Sequence, residues 1–205
     1  GSEGLLQVLA RAGVDVTWRD NQSGCKGVCD GLPNELVADK PPAGLCDKGR
    51  CFDEALLAGL DERLKNAKGT QLLVLHMLGN HGPSYFRRYP PAFDKFQPAC
   101  QSDDLRQCSV EQIVNAYDNA LLYSDTVLAQ LIEHLRASGA DTAMLYVSDH
   151  GESLGENNIF LHGLPYSIAP KVQTEVPMVM WVSDGFRDGL KLDMACLKQR
   201  AAQPS

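Results

Sequence analysis

The chain has 205 residues and a net charge of −7 at pH 7, with a pI of about 5.2. Its length fits one domain with a substantial core, and its negative charge argues against binding to the phosphate backbone, so no nucleic-acid partner is expected. No apolar run approaches the roughly 18 residues of a membrane span. Gly1 and Ser2 resemble a cloning remnant, which predicts that a native targeting segment was cut away.

Hydrophobic periodicity predicts helices that alternate with short apolar strands along the chain. In chain order these are a helix at 3–12, a strand at 14–18, a helix at 52–67, a strand at 71–78, a helix at 109–137 and strands at 142–147 and 176–182. Gly13 stops the first helix, and Ser109 with Gln112 forms a capping box that opens the third. The last three strands are predicted to be buried, and the residues from Ser183 onward form a tail.

This alternation is typical of the α/β class, with a mostly parallel sheet flanked by helices. Such sheets bind their ligands beyond the carboxyl ends of the strands. Three predicted strand ends carry residues suited to chemistry: Lys26 follows the first strand, His81 the second, and Asp149, His150 and Glu152 the third. We therefore expect these side chains to meet at one edge of the sheet.

The segment after the third strand has the residue types of a zinc site. Asp149 and His150 offer a carboxylate oxygen and an imidazole nitrogen, both of which bind zinc. Neighbouring residues on a regular strand point to opposite faces, so the two can share one ion only if the backbone turns, which Gly151 permits. His162 follows shortly afterwards. The alternative is a polar turn after a strand, and spacing alone does not decide between the two.

Six of the seven cysteines fall into three close pairs inside loop segments. None has the C-x2-C spacing of a zinc knuckle. We predict three local disulfides in an oxidising compartment such as a periplasm, and we expect them to fix loop shape rather than to add much stability, because the loops they close are short. The pairs are Cys25 with Cys29, Cys46 with Cys51, and Cys100 with Cys108, which leaves Cys196 over.

Four motifs together resemble those of a known family. They are SDHGESLGEN at 148–157, LHG at 161–163, GNHGP at 79–83 and YDNAL at 117–121. In this combination the chain resembles the periplasmic catalytic domain of the phosphoethanolamine–lipid A transferases. That family includes the colistin-resistance enzymes and belongs to the alkaline phosphatase/sulfatase superfamily. The resemblance covers nearly the whole chain, paired cysteines included, and implies an alkaline phosphatase-like α/β/α fold that is incomplete at both ends.

The resemblance also implies roles for matching residues. Asp149 and His150 match two protein ligands of a catalytic zinc. His81, His162 and Glu152 match residues that line the site and contact the phosphoethanolamine group or further zinc, which gives His81 and His162 a part in catalysis. Lys26 matches a lysine near the phosphate. The implied donor is phosphatidylethanolamine, the acceptor is a lipid A phosphate, and the result is resistance to polymyxins such as colistin.

The chain departs from this pattern in one respect. The family's nucleophilic threonine and its remaining zinc ligand, a glutamate, match no residue here, and none of the five threonines stands in the nucleophile's context. We therefore expect residues 3–205 to be an internal part of the catalytic domain of an inner-membrane protein, with the membrane-spanning N-terminal domain missing and little activity alone. The alternatives are another superfamily member, such as a sulfatase or a phosphoglycerol transferase, and an inert metal-binding module.

Two further features have competing interpretations. His76, inside an apolar strand, is predicted to be a hydrogen-bonded core histidine rather than a ligand. The aromatic residues between Tyr85 and Phe93 could form an apolar lip for a lipid, or could pack a long disulfide-clipped loop.

Overall fold

The computed structural model describes residues 3–202, so the predicted cloning remnant at Gly1 and Ser2 lies outside the described residues. The helices are α1 (Leu5–Arg11), α2 (Leu60–Lys65), α3 (Val110–Ala137), α4 (Lys171–Thr174), α5 (Asp184–Gly189) and α6 (Met194–Ala201). The strands are β1 (Asp15–Asp20), β2 (Asn34–Leu36), β3 (Cys46–Asp47), β4 (Arg50–Cys51), β5 (Gln71–His76), β6 (Ala143–Val147), β7 (Ser153–Leu154), β8 (Phe160–Leu161) and β9 (Met178–Val182). In this part of the chain no helix combines the length and the apolar character that a bilayer span requires.

The main sheet is parallel, with strand order β2-β1-β5. β1 and β5 pair along their whole length, from Asp15 opposite Gln71 to Asp20 opposite His76. Both strands therefore end at the same edge, as parallel strands must. This register places the loop after Asp20, which carries Lys26, beside the loop after His76, which carries His81.

Helix α3 forms the main support of the sheet. Its start is the predicted capping box: the Ser109 hydroxyl accepts from the Gln112 backbone N–H, and the Gln112 side chain accepts from the Ser109 N–H. Its buried residues recur every three or four positions, which makes one apolar face. That face packs on two clusters, one around Leu57, Tyr89 and Tyr123 and the other around Tyr85 and Ile113. Because Tyr85 and Tyr89 are 1% and 5% exposed, they act as core residues rather than as an open lip.

The strands β6 and β9 differ from the prediction of buried, parallel strands. β6 and β9 pair with each other antiparallel, and neither is hydrogen-bonded to the β1–β5 sheet. One face of this pair is open, since Leu145, Val147, Met178 and Met180 are 64%, 56%, 62% and 49% exposed. The apolar sequence predicts strands correctly here, but no described element covers that face, so the expected burial is wrong.

The predicted helix at 52–67 is also wrong as one element. The structure has a 3-10 turn at Asp53–Leu57 and then the short helix α2. Gly59 separates them with a φ of 69°, a left-handed conformation that glycine adopts without steric cost and that ends helical geometry. The prediction of a tail from Ser183 onward is wrong as well, because the residues after Ser183 form the helices α5 and α6. Ser183 caps α5 and Asp193 caps α6 through side-chain hydrogen bonds.

The three predicted disulfides are present. They join Cys25 to Cys29, Cys46 to Cys51, and Cys100 to Cys108, while Cys196 is a free, exposed thiol. The first bridge closes the loop that carries Lys26 and the second closes the β3–β4 hairpin. Both loops lie near the carboxyl edge of the β1–β5 sheet, so the bridges fix the shape of the loops that surround that edge.

His76 is the hydrogen-bonded core histidine that the sequence predicts. Its Nδ1 lies 3.0 Å from Oδ2 of Asp20, and Trp18 donates its indole N–H to the same oxygen at 2.8 Å. Asp20 is fully buried. Burial alone would raise the pKa of Asp20, but hydrogen bonds from His76, Trp18 and the Gln22 N–H outweigh burial and lower it. This network ties β1 to β5 at their carboxyl ends.

Candidate metal centre

Three loops bring histidines together beyond the strand ends. His81 follows β5, His150 follows β6, and His162 follows β8 of the small β7–β8 hairpin. One nitrogen from each imidazole lies within 4.8 Å of the other two. The His150 and His162 rings are stacked at 3.8 Å between centroids, and His81 lies edge-on at 5.9 Å and 5.1 Å from them. The cluster therefore gathers residues that are far apart in sequence at one point.

In each of the three imidazoles, Nδ1 has an oxygen partner that fixes the orientation of the ring. Nδ1 of His81 lies 2.8 Å from the Gly82 carbonyl, and Nδ1 of His150 lies 2.9 Å from the Gly151 carbonyl. A carbonyl only accepts hydrogen bonds, so in both rings Nδ1 carries a proton, and in the neutral imidazole Nε2 then keeps its lone pair. Metal-binding histidines are commonly held in this way, with the remote ring nitrogen bonded to a carbonyl or a carboxylate.

Glu152 completes the same pattern for the third ring. Its Oε1 lies 2.9 Å from Nδ1 of His162, and the glutamate side chain is only 4% exposed. A buried carboxylate needs such a partner. Glu152 is thus placed behind His162, as a residue that orients the imidazole.

Asp149 lies at the edge of the cluster. Its Oδ1 is 3.8 Å from Nε2 of His150, but its side chain is 87% exposed. It is outside the group of three ligand atoms that lie within 4.8 Å of one another. Of the predicted pair Asp149 and His150, only His150 is therefore in the three-histidine cluster as the side chains stand.

The turn between His150 and Glu152 depends on a glycine. A Cβ on Gly151 would overlap with the backbone carbonyl of Val172, and the Gly151 N–H donates to the Gln173 carbonyl at 3.0 Å. The Gln173 side chain, which is buried, donates to Ser153 Oγ at 2.8 Å and to the Leu161 carbonyl at 3.1 Å. Gln173 thus links the His150 turn to the hairpin that carries His162. Nothing in the local sequence pattern around Gln173 marks it for this role, so it was not predicted.

Asp53 is a second residue near the site that was not predicted from the sequence. Its side chain accepts from the backbone N–H groups of Leu78 at 2.8 Å and Gly79 at 2.7 Å, and from the Asn21 side chain at 2.8 Å. Burial raises the pKa of Asp53, and these three hydrogen bonds oppose the rise. Arg88 bonds the His81 carbonyl at 2.7 Å on the other side of the same loop. The segment that carries His81 is therefore held at both ends.

Lys26 lies near His81 rather than inside the cluster. It is exposed, and it lines a cavity of about 360 Å³ that His81 also lines. The backbone φ of Lys26 is +48°, inside the loop closed by Cys25 and Cys29. The structure therefore places Lys26 in a cavity that adjoins the three-histidine cluster, and not in the cluster itself.

The family is decided by comparison with known proteins. A family model described as Sulfatase matches residues 1–204. This chain belongs to the sulfatase family. The α/β fold class predicted from the sequence is that of the sulfatase relatives whose structures are known.

Within the sulfatase family the chain aligns with phosphoethanolamine transferases. It is 46% identical to phosphoethanolamine transferase EptA of Salmonella typhimurium over 202 residues, which are 98% of this chain and 37% of that protein. It is 46% identical to phosphatidylethanolamine transferase Mcr-1 of Escherichia coli over 188 residues, 87% of this chain and 35% of that protein. The resemblance inferred from the motifs is thereby confirmed. The chain spans a little over a third of the length of these relatives.

Solved structures agree with the sequence matches. The soluble domain of lipooligosaccharide phosphoethanolamine transferase A from Neisseria meningitidis matches with a TM-score of 0.93 at 45% identity, over 99% of this chain and 61% of that one. The periplasmic domain of EptC from Escherichia coli, solved in complex with Zn, matches with a TM-score of 0.73 at 22% identity, over 94% of this chain and 55% of that one. The second likeness concerns the fold alone.

Proposed function

We propose that this chain is the zinc-binding part of a phosphoethanolamine transferase that acts on lipid A in the periplasm, as the soluble domain of an inner-membrane protein. The observation that carries the proposal is the three-histidine cluster, with each Nδ1 bonded to an oxygen. The identity to EptA and Mcr-1 supports the choice of substrates. The donor is phosphatidylethanolamine, the acceptor is a lipid A phosphate, and the consequence is resistance to polymyxins.

The donor set fits zinc. Imidazole nitrogens bind zinc at about 2.0–2.1 Å, so two ligand nitrogens on one tetrahedral ion are about 3.4 Å apart. The nitrogens of His81, His150 and His162 lie within 4.8 Å of each other, so small ring movements bring them onto one ion. Asp149, 3.8 Å from His150, is exposed enough to turn toward the ion as a fourth ligand. Three protein ligands are typical of catalytic zinc sites, and the fourth position can then be taken either by Asp149 or by the substrate.

In this proposal a bound zinc supplies positive charge against the developing negative charge on the phosphoryl oxygens. In the first half-reaction a threonine oxygen forms a bond to phosphorus, and the bond from phosphorus to the diacylglycerol oxygen breaks. In the second a lipid A phosphate oxygen displaces the threonine. By the family resemblance, this threonine matches no residue of the present sequence. Of the five threonines here, Thr17 has a hydroxyl that accepts a hydrogen bond from Arg63, and the hydroxyls of Thr126 and Thr174 donate to backbone carbonyls of their own helices.

In this proposal the residues of the chain bind the phosphate and orient the three imidazole rings. Lys26 presents an ammonium to a phosphate oxygen beside the cluster. Glu152 holds His162, and the carbonyls of Gly82 and Gly151 hold the other two rings. If Asp149 and His150 are the only residues of this chain that hold the ion, as the family resemblance implies, Nε2 of His81 and of His162 stays available to accept a proton, and the resulting imidazolium can pass it to the leaving oxygen.

Zinc binding tests the proposal directly. We expect the chain to bind one zinc ion in a competition titration with a fluorescent chelator, and His150→Ala to abolish that binding. His134→Ala is the matched control, because His134 lies on α3 and pairs with Asp61 away from the cluster. His81→Ala separates the two arrangements of ligands: loss of zinc supports the three-histidine site, and retained zinc supports the pair of Asp149 and His150. Equal affinity in the wild type and His150→Ala would refute the site.

A sulfatase is the second candidate, since the family model that matches the chain is described as Sulfatase. The full-length protein that contains this sequence should transfer a fluorescent phosphatidylethanolamine headgroup to lipid A in mixed vesicles. The same preparation should not hydrolyse p-nitrophenyl sulfate. The reverse result would replace the transferase with a sulfatase while leaving the zinc site intact.

A further inference from the structure

A cavity next to the three-histidine cluster has a basic lining. Its volume is about 360 Å³, within the range of pockets that bind small molecules. It opens between the loop after β1, the β3–β4 hairpin and the loop after β5. The residues that matter here are Asn21, Lys26, Arg50, Cys51 and His81. Because His81 belongs both to this wall and to the cluster, the cavity lies next to the candidate metal centre.

The two cations of this lining are not neutralised by carboxylates. Lys26 and Arg50 are both exposed, and neither forms an ion pair with any residue between 3 and 202. No aspartate or glutamate lines the cavity within the same range. The carboxylate behind it, Asp53, already accepts three hydrogen bonds. The half-buried guanidinium of Arg88, whose pKa is lowered chiefly by burial, adds a positive charge near Arg50.

Both cations stand on loops of fixed shape. The Cys25–Cys29 bridge closes the turn that carries Lys26, and the Cys46–Cys51 bridge closes the hairpin on which Arg50 precedes Cys51. The Asn21 side chain donates to the Cys51 carbonyl at 3.1 Å, which joins the two loops. The disulfides therefore fix the backbone positions of two positive residues that line one cavity, which reduces the ordering of these loops that anion binding requires.

We propose that this cavity is a second phosphate subsite, in which Lys26 and Arg50 bind the oxygens of a phosphate monoester, the acceptor group of the transfer reaction. A guanidinium matches two phosphate oxygens in a bidentate pair, and an ammonium serves as a point charge on a third. Two unpaired cations match the dianionic charge of a monoester better than the single charge of a phosphodiester donor. The role as acceptor site rests on the proposed function; the binding of a monoester does not.

Titration of soluble phosphate probes tests this subsite. Glucosamine 1-phosphate represents the monoester, and glycerophosphoethanolamine represents the diester headgroup. Binding is followed by calorimetry with EDTA present, so that zinc takes no part. We expect the monoester to bind at least about fivefold more tightly than the diester, and Arg50→Ala to weaken monoester binding about tenfold. Lys26→Ala should do the same.

The control is Lys48→Asn, which removes a positive charge from the same hairpin. Lys48 has a φ of +48°, which asparagine tolerates, and it does not line the cavity. The proposal is overturned if Arg50→Ala binds the monoester with the affinity of the wild type, or if Lys48→Asn lowers the affinity for the monoester as much as Arg50→Ala does. It is also overturned if the wild type binds the diester as tightly as the monoester. Because the titration contains no zinc and no transfer step, a failed transferase assay leaves its result standing, and a failed titration leaves the zinc site standing.

Discussion

The hydrogen bond between Glu152 and His162 predicts that Glu152 raises the affinity for zinc, although it is not itself one of the three histidine ligands. Glu152→Gln keeps the size of the side chain and an oxygen that accepts from Nδ1 of His162, but it replaces a charged acceptor with a neutral one. A hydrogen bond to a charged group contributes about 1.5–3 kcal/mol, and a neutral one about 0.5–1.5 kcal/mol. The difference of about 1–1.5 kcal/mol corresponds to a loss of zinc affinity of roughly five- to twelvefold.

Competition with a zinc chelator at fixed pH measures this loss. Glu156→Gln is the matched control, since Glu156 lies four positions later, is exposed, and accepts from the Leu154 N–H rather than from a histidine. Its affinity for zinc should equal that of the wild type. Thermal unfolding without zinc should show that both variants are folded. An unchanged affinity in Glu152→Gln, with His150→Ala abolishing binding, would show that the buried carboxylate does not act through His162.

Two further predictions concern the stability of the fold. Asn119 is fully buried, and its side-chain oxygen accepts from two backbone N–H groups of the facing loop at 2.8 Å each, so Asn119→Ala should lower the free energy of unfolding in urea by about 2–4 kcal/mol. The control is Asn115→Ala, one turn earlier on α3, where the side chain makes one exposed hydrogen bond and the loss should be less than about 1 kcal/mol. Equal losses in the two variants would contradict this account. The pKa of Asp20 is lowered in the folded protein, so its ionised form stabilises the fold above the unfolded pKa of about 3.9, and this contribution disappears as the pH falls through the lowered value. The difference in unfolding free energy between wild type and Asp20→Asn should therefore be constant above about pH 5 and shrink below about pH 4; a difference that is the same at pH 3 and pH 7 would contradict it.

The sequence predicts well those features that depend on nearby residues. The capping box at Ser109, the three cysteine pairs and the strand before Asp149 each have a local signal, and each is present in the structure. The proximity of His81 to His150 was also expected from the carboxyl-edge rule for parallel sheets, although β6, which His150 follows, is not hydrogen-bonded to the parallel sheet.

Features that depend on contacts between distant segments were not predictable. Apolar spacing at 52–67 fits a helix, but the buried hydrogen bonds of Asp53 to the loop after β5 favour a tight turn there instead. Gln173 acquires its role only when α4 packs on the β7–β8 hairpin. The direction of β9 relative to β6 likewise follows from the path of the loop between them, which carries no periodic signal.

The cysteine pairing has a consequence for how the chain matures. Each bridge joins a cysteine to the next one along the chain, with separations of 4, 5 and 8 residues. Six cysteines can be joined in 15 ways, yet here an oxidant that couples thiols in their order of emergence during export would produce the native set without later reshuffling. Among residues 3–202, the remaining thiol, Cys196, follows the other six in the chain and would therefore emerge after them.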